Sequence, residues 1–127
     1  MASQLLADEA ADNIVRTSRT SLGDSLRSVT YFTRDDYEQL YLRDDLSRDA
    51  DLTSFIGLEW RGFKTAQGAY EGTELGDYRY TIRVFENGYL MRVTDNREGV
   101  FVTTDSLTMG DFNNVAQSVR KVLRDDI

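Results

Sequence analysis

Residues 77–104 read DYRYTIRVFENGYLMRVTDNREGVFVTT, and the way this stretch pairs with itself decides the fold. From Asp77 to Glu86 apolar and polar residues alternate, which assigns Tyr78, Tyr80, Ile82 and Val84 to one face of a strand. Asn87-Gly88 is a strong hairpin signal, because a type I′ turn needs positive φ at both central positions. Tyr89 to Thr94 returns, Asn96 to Gly99 turns again, and Val100 to Thr104 forms a third strand. A three-stranded antiparallel meander is expected here.

Such a meander needs elements to cover it, and the flanking sequence supplies them. Upstream, Leu5, Leu6, Ala10, Ile14, Val15 and Ser18 recur at helical steps, with Gly23 as the stop. Ser28 to Thr33 is β-branched and aromatic, Arg34-Asp35-Asp36 is a turn, and Tyr37 to Arg43 completes a hairpin. After a polar loop, Leu52, Phe55, Ile56, Glu59, Trp60, Phe63, Gln67 and Tyr70 fall on one helical stripe, with Asp51 as its N-cap. Trp60 and Phe63 on that stripe are candidates for core or interface. Gly68, Gly72 and Gly76 loosen the chain before the meander. Thr108 with Asp111 reads as a capping box opening a last helix through Phe112, Val115, Val119 and Leu123. The order is α-ββ-α-βββ-α, an α+β fold with a five-stranded antiparallel sheet and three helices. No linker or repeat divides residues 1–127, so a single domain is expected.

Composition narrows the chemistry. The 127 residues contain no Cys, His or Pro, which excludes Ser-His-Asp and Cys-His nucleophile systems, disulfides, and metal sites built on His or Cys. The net charge is -7, with 15 Asp, 7 Glu, 13 Arg and 2 Lys. That balance disfavours attraction to nucleic acid or anionic membrane. Asp excess together with lysine depletion fits a surface adapted to concentrated salt, where screening removes net repulsion. No charged-then-apolar leader and no long apolar run are read in the sequence, so a cytoplasmic location is expected.

Candidate motifs for catalysis fail on spacing. Asp35-Asp36, Asp44-Asp45 and Asp125-Asp126 are adjacent pairs in turns or near the chain end, where Asp bonds local backbone. Asp45, Ser47, Asp49 and Asp51 begin like a calcium loop, but Ala50 and Ile56 stand where glycine and a bidentate glutamate are required. No glycine-rich phosphate loop is present, and Lys64 and Lys121 fall on polar helix faces. No catalytic residue, metal or cofactor is assigned.

One constellation stands apart. If Asn87-Gly88 closes the hairpin, Arg83 faces Arg92 across it, with Arg79 on the same side. Like charges directly opposite repel, so a negative group is expected beside them. That group is either an internal carboxylate, with Glu59 as the candidate, or an external anion or acidic partner held by guanidinium forks. Arg79, Arg83 and Arg92 are therefore the candidate anion- or partner-binding residues.

The element order is similar to that of roadblock and profilin-like domains. The stretches SLRSVTYFTRDDYEQLYLRDDL (residues 25–46) and YEGTELGDYRYTIRVFENGYLMRVT (residues 70–94) also resemble a family of small haloarchaeal proteins. The roadblock resemblance implies a non-catalytic homodimeric platform that works with other proteins, small GTPases among them. Three readings follow: an interaction module of that kind, a domain sensing a small anion or metabolite, and a carboxylate- or metal-dependent enzyme resting on Asp abundance alone. The acidic balance makes a first prediction. The thermal midpoint should rise from low salt toward molar potassium chloride, and a flat or falling midpoint would exclude salt adaptation.

Overall fold

The computed structural model describes residues 6–33, 36–46, 72–76, 78–95, 98–106 and 109–125. Its first helix, α1 (Asp8–Leu22), follows from the four-residue recurrence of Ala10, Ile14, Ser18 and Leu22, all buried. Ser18 avoids an unsatisfied hydroxyl by donating to the Ile14 carbonyl at 2.9 Å. Gly23 ends the helix at φ 57° and donates to the Arg19 carbonyl, as its sequence position suggests. A single 3-10 turn, Gly23–Ser25, then feeds the sheet.

The strands are β1 (Leu26–Thr33), β2 (Tyr37–Leu42), β3 (Tyr80–Phe85), β4 (Gly88–Asp95) and β5 (Glu98–Thr104), followed by α2 (Met109–Asp125). All pairings are antiparallel, and the spatial order is β2-β1-β5-β4-β3. The expected five-stranded antiparallel sheet is present, and the described residues form two helices. The middle helix expected over residues 52–70, with Asp51, Trp60 and Phe63, lies outside the described residues, as do the Arg34-Asp35 turn and Thr108 of the capping box.

One face of the sheet is apolar. Val29, Met91, Val93, Val100 and Val102 meet Ala10 and Ile14 of α1 and Phe112, Val115 and Val119 of α2 in one core. The other face is equally buried but mixed: Ser28, Thr30, Arg92, Thr94 and Thr103 accompany Phe32, Leu90 and Phe101. Phe32 and Phe101 stack there in a tilted pair 5.9 Å apart. Phe32 lies over Gly99, where an added Cβ would stand 2.6 Å from the ring, so only glycine fits beneath that buried aromatic. Ser28 and Thr103 hydroxyls bond each other at 2.5 Å across the β1–β5 pair on this same face.

The β3–β4 register corrects the expected turn. Phe85 pairs with Gly88, Val84 with Tyr89, Arg83 with Leu90, Ile82 with Met91, and Thr81 with Arg92. The two-residue loop is therefore Glu86-Asn87, and Gly88 belongs to β4 outside the left-handed region. The physical reason lies in β5. A Cβ on Gly88 would sit 2.7 Å from the Thr104 carbonyl oxygen, so this glycine serves a close backbone approach. Tyr78, expected to share a face with Tyr80, instead carries its hydroxyl to Arg92 on the other side of the sheet.

A substitution series separates the two roles of this glycine. Gly88→Ala and Gly88→Asn should destabilise alike, by about 1–3 kcal/mol, since either Cβ strikes the Thr104 carbonyl. A left-handed turn position would accept Asn distinctly better than Ala. Denaturant titration of both variants checks this, and marked recovery in the Asn variant would restore the turn assignment.

Candidate functional site

The revised register separates the three arginines read from the sequence. Arg92 is 2% exposed and stands opposite Thr81 on β3 and Phe101 on β5. Its Nη2 donates to the Tyr78 hydroxyl at 2.9 Å and to the Thr81 hydroxyl at 2.8 Å, and those two hydroxyls bond each other. A guanidinium this deep in the sheet needs such acceptors, because its desolvation otherwise costs several kcal/mol. Arg83 is exposed and opposite Leu90, on the same face but diagonal to Arg92. Arg79 is exposed just before β3 begins. The direct Arg83–Arg92 opposition expected from an Asn-Gly turn does not form.

The structure assembles a second group of charges that sequence spacing does not announce. Arg43 follows β2, Arg27 lies near the start of β1, and Asp105 follows β5. Arg27 is a bulged position: Leu26 pairs with Thr104 and Ser28 with Thr103, which puts Arg27 outside the regular β1–β5 register. Arg43 Nη1 donates to Asp105 at 2.6 Å and to the Asp24 carbonyl at 2.9 Å, while its Nε donates to Asp45 at 2.6 Å. Arg27 Nη1 reaches the other Asp105 oxygen at 3.3 Å. Backbone bonds lock the same corner, from Arg43 to the Arg27 carbonyl and from Asp105 to the Ser25 carbonyl. Arg43 hydrogen bonds hold the Asp45 and Asp105 carboxyls below their usual range. The only local cue is Asp45 two residues after Arg43; the contribution of Asp105 depends on the β1–β5 pairing.

A third polar contact sits on the helix-covered face. The Tyr31 phenol donates to Glu98 at 2.7 Å, and burial together with that carboxylate raises its pKa above the ordinary range. Among the described residues, no three acidic side chains converge as a metal site. No described helix is long and apolar enough to cross a membrane.

A family model described as a domain of unknown function, DUF7522, matches residues 12–124. The chain belongs to the DUF7522 family. No curated protein matches it. Solved structures share its architecture. The gliding protein MglB from Thermus thermophilus is 11% identical, with a TM-score of 0.65 over 98% of this chain and 99% of that one. An MglB with a tetrameric arrangement is 10% identical, with a TM-score of 0.66 over 100% of this chain and 99% of that one. Myxococcus xanthus MglB is 12% identical, with a TM-score of 0.63 over 98% of this chain and 97% of that one. The fold of this DUF7522 chain is therefore roadblock-like, of the MglB kind. At these identities the likeness speaks for the fold alone.

The charged corner predicts an acid response. Because the Asp45 and Asp105 pKa values are depressed on folding, their contribution is present above the ordinary carboxylate pKa of about 3.9. It is lost as pH falls through the depressed values. Both carboxylates are substantially exposed, so solvent screening keeps the Asp105 share to about 1 kcal/mol or less. Asp105→Asn should lower the neutral-pH midpoint slightly and flatten its fall between about pH 5 and 2. Parallel melts of the two proteins across that range measure it, and superimposable acid limbs would show that the corner contributes nothing.

Proposed function

We propose that this chain is a non-catalytic interaction module that forms a homodimer through the outer edge of β3. The carrying observation is the character of that edge. No described strand lies beyond β3 in the sheet. Its loop is closed by the Phe85–Gly88 pair, which exchanges both backbone bonds in a two-residue hairpin. The alternation then turns the N–H and C=O groups of Tyr80, Ile82 and Val84 outward. Val84 is 72% exposed, an apolar side chain on a strand edge where soluble monomers usually place charge.

Charge selects the register of such a pairing. Pairing that engages all three outward residues, Ile82 with itself and Tyr80 with Val84, has its two-fold axis at Ile82, and a slip of the axis by one residue moves it to Thr81 or Arg83. An axis at Arg83 sets Arg83 against Arg83 of the second copy. An axis at Thr81 sets Arg83 against Arg79. Both oppose like charges. The axis at Ile82 places Arg83 opposite Thr81 and Val84 opposite Tyr80, so Arg79 and Arg83 act as register keepers. The same reading makes Trp60 and Phe63 candidates for core or interface, and the roadblock likeness suggests a small GTPase as the further partner. The alternative of an anion-sensing site at the arginines is weakened by the burial of Arg92 inside the sheet.

The absence of cysteine makes the test direct. An Ile82→Cys variant should form a disulfide-linked dimer under mild oxidation, because paired Cα atoms about 5.5 Å apart are within bridging range. Arg83→Cys should cross-link much less. Val84→Lys should shift sedimentation equilibrium toward monomer while the far-ultraviolet spectrum stays native. Efficient cross-linking at Arg83 in place of Ile82 would overturn the register, and an unchanged dimer in Val84→Lys would overturn the edge.

A further inference from the structure

The apolar face of the sheet loses its helical cover at β3. On that face Tyr80, Ile82 and Val84 stand in a row, opposite Val93, Met91 and Tyr89 of β4. α2 packs chiefly over β4, where Met91 and Val93 are buried. Tyr80 and Ile82 are only half-buried, and Val84 is exposed. The flank of α2 that borders this row is fixed by the Tyr80 hydroxyl, which donates to Asn113 Oδ1 at 2.7 Å. Helical spacing puts Met109 and Gln117 on the same flank, one turn to either side. Met109, one turn before the Phe112 that meets Tyr89 edge-on, is 62% exposed, and Gln117 is exposed as well. The chain thus ends in a step with an apolar floor and a wall of one thioether and two carboxamides. Charge enters this flank only with Arg120, nearly two turns past Asn113.

Two-fold pairing about Ile82 joins two such steps into a trench. Directly opposed residues of antiparallel strands lie on one face, so Tyr80, Ile82 and Val84 of both copies form the floor and one α2 runs along each side. Strand spacing sets the width. From β4 of one copy to β4 of the other is three spacings, and α2 extends toward β5, so the two helix axes stand about 14–19 Å apart. A helix seated between two others needs about 8–10 Å to each axis, which this gap supplies. An extended segment suits the trench less well. The seam already uses the strand edges, so its buried N–H and C=O groups would meet side chains only, whereas a helix satisfies its own. A second dimer fits no better, because its two α2 ridges also flank a hollow, and ridge meets ridge on a shared axis.

We infer that this trench takes one amphipathic α-helix of a partner protein, apolar stripe down, per homodimer. The inference rests on the β3-edge dimer proposed above. Because the seat lies on the two-fold axis, one helix occupies it and the second copy of the site is used up with the first. The probe is a synthetic peptide of about 18 residues, with leucines at i, i+3, i+4 and i+7 spacing among Ala, Gln and Lys. Its control is an isomer of the same composition with the leucines spread around the helix. Calorimetric titration of the full chain should give one striped peptide per two chains, with the isomer about tenfold weaker or more. Met109→Glu should weaken the striped peptide by about tenfold while sedimentation still reports a dimer, since a carboxylate suits the first turn of α2. Met109→Leu should keep the binding. A dimer that ignores the striped peptide would overturn the trench and leave the edge pairing standing, whereas a monomer would overturn both. Equal binding of the isomer, one peptide per chain, or full affinity in Met109→Glu would each overturn the axial seat. So would a tetramer that Met109→Glu dissociates, or flotation with phosphatidylcholine vesicles in place of peptide binding.

Discussion

The antiparallel pairing of β1 with β5 is the contact on which the rest of this structure depends. It joins an N-terminal hairpin to a C-terminal meander and puts the last strand of the chain in the middle of the sheet. The charged corner inherits its geometry from that seam. It brings Asp105 to Arg27 and Arg43, aligns Ser28 with Thr103, and places α1 beside α2 over one apolar face. Its single bulge, at Arg27, takes that residue out of the regular ladder. A connection of this kind is slow to find, because the loop it closes must be ordered before the contact returns any stability.

Strand existence was legible because alternation is a direct record of the pleat. Tyr80, Ile82 and Val84 are on one face, as their spacing requires, and α1 and α2 bury the stripes that their apolar residues mark. Register was not legible at the one place where it mattered most. Asn-Gly carries a strong turn preference, yet glycine is equally required where a backbone passes too close for a Cβ, and one sequence cannot distinguish the two demands. The neighbour that decides is the Thr104 carbonyl, on another strand. Moving the turn by one residue shifts the strand register by two, and Arg83 passes from facing Arg92 to facing Leu90.

The arginines show how burial reassigns roles. Arg92 reads in the sequence as part of a surface anion site and is instead a polar strut inside the sheet, satisfied in part by Tyr78 and Thr81 hydroxyls. Arg43, the last residue of an expected strand, makes the densest set of charged contacts in the described structure. Charge in this acidic chain is thus organised at sheet ends and bulges, where strands stop and side chains of different elements converge. Those positions combine partial exposure with fixed geometry, which is what recognition requires.

Placing β5 at the centre also bears on how the protein is made. During synthesis β1 and β2 leave the ribosome long before the strand that must flank β1 on its other side exists. The hairpin meanwhile shows an apolar face and an unpaired inner edge, both open to mispairing with other nascent chains. Two of its devices limit that exposure from within. The bulge between Val29 and Thr30 twists the hairpin, and the exposed Asp44 and Asp45 just after β2 add like charge at its end. On this view those two aspartates act first as a solubility guard for an incomplete sheet, and only afterwards as part of the corner that Arg43 ties together in the finished one.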